Sequence, residues 1–103
     1  MIKYDVNVSE RAAQMLVSHA AFLAQVSQTA ADNLVTQFEH AAHSLEELPQ
    51  RCPYLTDDYI PKNKYRSLLF DGKRYLMIFQ IMEQTVYIDY VVDCRQDYTW
   101  LIH

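Results

Sequence analysis

In the stretch YRSLLFDGKRYLMIFQIMEQTVYIDYVV, residues 65–92, three apolar runs are separated by two short turns. Residues 65–70 read as a short strand. Asp71-Gly72 then fits a tight hairpin turn, which needs positive φ at its central positions. Residues 74–82 form a long, nearly continuous apolar run, and Glu83-Gln84 supplies a second two-residue turn. In residues 85–92, Val86, Ile88, Tyr90 and Val92 alternate with Tyr87, Asp89 and Val91, the period of a strand with two distinct faces. Three strands joined by two hairpins make an antiparallel sheet.

Upstream of the sheet the texture is helical. Gly72 is the single glycine, so turns in the first half must use other residues. Residues 2–8 alternate Ile2, Tyr4, Val6 and Val8 against Lys3, Asp5 and Asn7, which predicts a first strand. Ser9 is placed to cap a helix, with Glu10 near its positive end. Over residues 9–26, Ala13, Leu16, Val17, Ala20, Leu23 and Ala24 recur at helical spacing. Ser27-Gln28-Thr29 breaks this helix, and Thr29 with Asp32 predicts a capping box for the next. There Ala31, Leu34, Phe38, Ala41, Leu45 and Leu48 form a second apolar stripe, which Pro49 should stop. Residues 49–63 hold all three prolines and read as a connecting loop.

The expected architecture is a single α+β domain over residues 1–103 in the order β-α-α-β-β-β. Two helices joined by about three residues must run antiparallel. That helical hairpin should cover one face of the antiparallel sheet, because both helix stripes and the sheet face need a partner. The first strand joins the sheet at its edge or its centre.

Composition narrows the function. The chain has 103 residues, half of them hydrophobic, with eight Tyr, four Phe and one Trp. That is core-forming material and not a disordered segment. Nine basic against thirteen acidic residues give a net charge of −4, which argues against a non-specific nucleic-acid binder. Cys52 and Cys94 show no metal spacing and no disulfide framework, so reduced thiols in the cytoplasm are expected. Neither a signal peptide nor a membrane span is expected. One glycine excludes a P-loop and a dinucleotide fingerprint.

Few residues gather for chemistry. His40, His43 and Glu47 share a helical strip that reads as a solvated face, so neither a metal nor a cofactor is expected. Ser18 and His19 are helix neighbours and do not face each other. Lys62, Lys64, Arg66, Lys73 and Arg74 fall within thirteen residues, placing five of the nine positive charges by one edge of the sheet. The last strand delivers Arg95, Asp97, Tyr98 and Trp100 at its end. Arginine offers a forked donor for phosphate, and tyrosine can stack on a base or move a proton.

The segments LEELPQRCPYL (45–55), YRSLLFDGKRYLMIFQI (65–81) and VYIDYVVDCRQDYTWLI (86–102), in this element order, resemble the RelE/ParE superfamily of toxins from type II toxin–antitoxin, or plasmid stabilisation, systems. The most telling is the last, a hydrophobic strand running into Arg-x-Asp-Tyr. The resemblance implies a cytoplasmic toxin neutralised by a cognate antitoxin, with either of two targets. RelE-like members cut mRNA on the ribosome by 2′-hydroxyl attack on the adjacent phosphate, and ParE-like members inhibit DNA gyrase. Carried over for a nuclease, Arg95, Tyr98, Arg74 and Lys64 are the candidate catalytic residues, with Lys62, Arg66 and Lys73 binding substrate. The pattern departs in the middle strand, where Tyr75 is followed by Leu76 and not by Arg. A degenerate, non-toxic interaction protein of the same fold is the alternative, and a homodimer stays open.

Overall fold

The structure is a computed structural model that describes residues 2–95. The elements are β1 (Asp5–Val8), α1 (Glu10–Ala24), α2 (Gln28–Ser44), a single 3-10 turn (Pro49–Arg51), β2 (Arg66–Phe70), β3 (Tyr75–Met82) and β4 (Thr85–Asp93). The expected α+β order is present. The strands form one sheet in the order β1-β4-β3-β2. β2–β3 and β3–β4 are antiparallel hairpins. β1 takes the edge beside β4 and runs parallel to it, Asp5 opposite Thr85 and Val8 opposite Ile88, so the sheet is mixed.

Several boundaries differ from the expected ones, each for a local reason. β1 starts at Asp5, because the Tyr4 N–H is drawn away to the Glu46 carbonyl just past the end of α2 (2.9 Å). Ser9 caps α1 as expected, its Oγ accepting from the Ala12 N–H at 3.0 Å. The cap of α2 is Ser27 and not Thr29: the Ala30 N–H donates to Ser27 Oγ at 3.1 Å, while Asp32 accepts from the Gln28 side chain. α2 ends at Ser44, short of Pro49. The chain just past it folds around Arg51, whose guanidinium donates to Ser44 O, Glu47 O, Leu48 O and Ser44 Oγ. Leu48 takes a left-handed φ of 47° and is exposed, outside the stripe assigned to it. Asp71, Gly72 and Lys73 all adopt positive φ. The first hairpin therefore has four turn residues, and β3 begins at Tyr75, with Arg74 in the turn.

The helix-facing core joins Leu34, Phe38 and Leu45 of α2 to Phe70, Tyr75, Met77, Phe79, Val86, Ile88 and Val91 of the sheet. The inward residues of α1 are Ala12, fully buried, with Met15, Leu16, Ala20 and Leu23 packed against the core, while Ala13 and Val17 are exposed. Leu16, Ala20 and Leu23 of the expected stripe face the core, and the stripe extends toward Ala12 and Met15 in place of Ala13, Val17 and Ala24, because alanine and valine lie on both sides of this helix. Past the end of β1, α1 runs along the rim of β4. The Ser9 N–H donates to Ile88 O at 2.9 Å, and the His19 ring lies 2.9 Å from Val91 O.

The expected alternation of β4 breaks at Asp89. Ile78 pairs with Tyr90 and Phe79 with Ile88, leaving Asp89 as an extra residue. Such a bulge shifts the strand's phase by one residue. Val86, Ile88 and Val91 face the helices, whereas Tyr90 and Val92 join Leu76 and Ile78 on the opposite face. There Ile60 and Leu55 of the connecting loop pack onto them, together with Tyr65. The loop is tied to the edge of β2 by the Tyr54–Arg66 bridge and by the Ser67 N–H to Pro53 O bond (3.1 Å). No described helix is long and apolar enough to cross a membrane.

Candidate functional site

Register separates the predicted cations into two groups. Phe70 pairs with Tyr75 and Arg66 with Phe79, so Arg66 lies four strand positions, about 13 Å, from the β2–β3 turn. Lys62, Lys64 and Arg66 belong to the loop end of the sheet. Lys73, Arg74 and Arg95 belong to the turn end, because Asp93 pairs with Tyr75 and the Cys94 N–H donates to Arg74 O at 2.9 Å. Tyr98 lies outside the described residues.

At the turn end, Asp93 is the one charged residue among those described that is buried. Its Oδ1 accepts from the backbone N–H and the Nε–H of Arg95, both at 2.9 Å, and its Oδ2 accepts from Nη2 at 2.7 Å. The local sequence explains the geometry. A carboxylate at the strand's last position accepts from the backbone two residues on, turning the chain, and the arginine side chain folds back over the same two oxygens. These hydrogen bonds hold the Asp93 carboxyl below its usual range against the opposing effect of burial. They raise Arg95 in turn. Beneath the pair lies Tyr75, 2% exposed, whose hydroxyl is pushed up by burial and then by the Asp93 charge. The His19 ring is tilted against Tyr75, centroids 5.2 Å apart. A carbonyl only accepts, so the His19 Nε2 facing Val91 O carries the proton. Cys94, exposed and free, has its thiol raised by burial and by Asp93.

At the loop end, Arg66 donates to Cys52 O (2.7 Å) and Gln50 O (3.1 Å), and its guanidinium sits 4.0 Å over the Tyr54 ring. It is a structural tie between loop and sheet. Lys64 lies 5.2 Å over Tyr65, which meets Tyr90 edge-on. Arg11 of α1 donates to the Tyr90 hydroxyl at 2.7 Å, its guanidinium 4.7 Å from the ring centre. Burial raises the Tyr65 hydroxyl, with the Asp89 charge adding to it. Lys62 lines an open cavity of about 390 Å³ with Asp57 and Asp58.

Sequence reasoning did not single out Asp93, His19 or Arg11 for these roles. Asp93 was legible as the residue preceding Arg95 by two. His19 and Arg11 meet β4 only through the long-range docking of α1, which no local spacing reveals. His43 contacts Glu46 at 3.3 Å on an exposed strip, and no cluster of three His, Cys, Asp or Glu among the described residues could hold a metal ion.

The turn end thus presents a fixed guanidinium backed by a buried carboxylate and a tyrosine. This can recognise an acceptor group. Lys64 and Arg66 do not converge on it.

No curated relative matches the chain by sequence. A solved structure described as the chromosomal ParDE TA system from P. aeruginosa shares the fold, with a TM-score of 0.71 at 11% identity, covering 90% of this chain and 98% of that one. The family model described as ParE toxin of type II toxin-antitoxin system, parDE, matches residues 6–98. With nearly the whole domain matched, the chain belongs to the ParE toxin family within the RelE/ParE superfamily.

Proposed function

We propose that this protein is the toxin of a type II toxin–antitoxin module and that it arrests growth by binding DNA gyrase, without cutting RNA. The observation that carries the choice of target is the separation of the cations. A ribonuclease must stabilise charge developing on one phosphate, and its donors must converge there. Here Arg66 is committed to two loop carbonyls, Arg95 is neutralised by Asp93, and about 13 Å of strand separates the two ends. A net charge of −4 also repels a polyanion. The family description points the same way.

An antitoxin partner is supported by the outer side of the helical hairpin. Val17, Phe22 and Val26 are 66, 66 and 87% exposed. A groove of about 430 Å³ between α1 and α2 is lined by Leu16, Ala20, Ala24, Ala31 and Val35 among others. Val17 lines this groove, and exposed apolar surface of this kind marks interaction sites.

The deciding experiment is induction of the protein with two readouts, plasmid supercoiling and transcript ends. Supercoiling should fail and DNA breaks should accumulate while transcripts stay whole. Ribosome-linked cleavage with supercoiling intact would instead assign the nuclease role to Arg95, Arg74, Lys64 and Tyr98.

A further inference from the structure

We infer that Asp93 is a positioning residue: it holds the Arg95 guanidinium in place to receive an acidic side chain of the toxin's protein target. This rests on the reading of the chain as an inhibitor of a protein. Turning the chain after β4 requires only the bond from the Arg95 N–H to Asp93 Oδ1. The two further bonds, from Nε and Nη2, fix the side chain itself. That side chain is 65% exposed, whereas the Asp93 side chain beneath it is 10% exposed. A buried carboxylate is therefore spent on orienting a group that faces solvent.

The donor inventory leaves room for a ligand. A guanidinium has five N–H donors. Asp93 takes Nε–H and one of the Nη2 hydrogens, and the Tyr75 hydroxyl is a further side-chain partner, which leaves at least two Nη hydrogens. Two such hydrogens can meet a carboxylate in two-point geometry. Association with a side chain already ordered avoids the entropy loss of immobilising it at the interface. Because Asp93 cancels the arginine's charge, recognition depends on direction more than on field. A single carboxylate on a protein fits such a site better than a phosphate chain, which the net charge of −4 repels. Arg74, exposed and tied to Cys94 through its carbonyl, supplies a second cation at the same end.

The test is a double-mutant cycle on inhibition of gyrase supercoiling by the purified full chain, using wild type, Arg95→Ala, Arg95→Lys, Asp93→Asn and the double variant Asp93→Asn with Arg95→Ala. Melting temperatures are measured alongside, and all assays run well below the lowest of them. Arg95→Ala should lose about 30-fold in potency, the loss expected of an interface anchor. Arg95→Lys, lacking the fork, should lose nearly as much. Asp93→Asn should lose about fivefold, and the double variant should be no weaker than Arg95→Ala alone, the signature of coupling. If Arg95→Ala matches an active wild type, the inference falls and the gyrase reading stands. If Asp93→Asn lowers only the melting temperature, its role is structural and the inference falls. An inactive wild type removes the gyrase reading and this inference together, and Arg95-dependent RNA cleavage would assign the arginine to phosphate instead.

Discussion

His19 Nε2 lies 2.9 Å from the carbonyl oxygen of Val91, joining α1 to the rim of β4 beyond the point where β1 ends. β1 pairs with β4 only as far as Ile88, so the carbonyls that follow on that edge have no strand to receive them. Ser9 Oγ, 3.4 Å from Asp89 O, and the His19 ring take over that part. The same ring packs against buried Tyr75.

His19→Ala should therefore destabilise the fold by about 1–3 kcal/mol, from an unmet carbonyl and a lost aromatic contact. His19→Gln keeps a donor at similar reach and should recover part of it. Urea unfolding of the three proteins measures both. Equal midpoints for wild type and His19→Ala would show that water replaces the imidazole without cost.

Asp93 sets the acid limit of stability at the turn end. Its carboxyl is held below the usual range by hydrogen bonds from Arg95. A group whose folded pKa is depressed stabilises above its unfolded pKa, and that contribution disappears as pH falls through the folded value. The loss should thus occur below about pH 4. Melting temperatures from pH 6 to pH 2 should fall more steeply for wild type than for Asp93→Asn, with the two curves converging at the acid end. Parallel curves over that range would place the acid sensitivity elsewhere.

The strands, the helix order and the second hairpin were legible because each rests on local chemistry: alternation in residues 85–88, the Ser9 cap, the Glu83-Gln84 turn between Met82 and Thr85. What was not legible depends on partners distant in sequence. The end of α2 is set by Arg51 folding back, not by the proline that the sequence advertises. The inward side of α1 is fixed by the rim of β4, and its alanines could face either way. For the site, Arg95 and Arg74 lie at the same end of the sheet because Asp93 pairs with Tyr75, whereas Lys64 and Arg66, which the sequence clustered with Arg74, are held at the far end by the register of β2. Proximity in sequence placed both groups beside one edge strand and could not say that they occupy opposite ends of it.

Arg51 and Leu48 divide the work of ending α2. Arg51 donates to the Ser44, Glu47 and Leu48 carbonyls at and just past the last turn, of which those of Ser44 and Leu48 also accept a backbone N–H. Arg51→Ala should cost about 1 kcal/mol, since these acceptors remain near solvent. Leu48→Gly should go the other way, gaining up to about 1 kcal/mol, because Leu48 is exposed and holds φ at 47°, where a Cβ is disfavoured. Thermal unfolding of both variants gives the signs. A destabilised Leu48→Gly would mean that the leucine's packing outweighs its backbone strain.

Asp89 offers the sharpest test of the sheet's construction. It is the residue that β4 has and β3 does not match, and it lets Ile88 face the helices while Tyr90 faces Ile78 and Tyr65. Its side chain accepts from Gln80 Nε2 at 2.7 Å on that same outer side. Asp89→Asn keeps the backbone and should cost about 1 kcal/mol at most. Deleting Asp89 is a different perturbation. It removes the unmatched residue, so Ile88 can stay opposite Phe79, Tyr90 opposite Ile78 and Asp93 opposite Tyr75, and Tyr90, Val91 and Val92 keep their faces. What is lost is the bulge's local twist and the bond from Gln80. The deletion should therefore still unfold cooperatively, seen as a retained thermal transition by circular dichroism at a lower temperature, while Asp89→Asn melts within a few degrees of wild type. A deletion variant with no cooperative transition would show that the sheet depends on the bulge's own geometry and not only on the pairing around it.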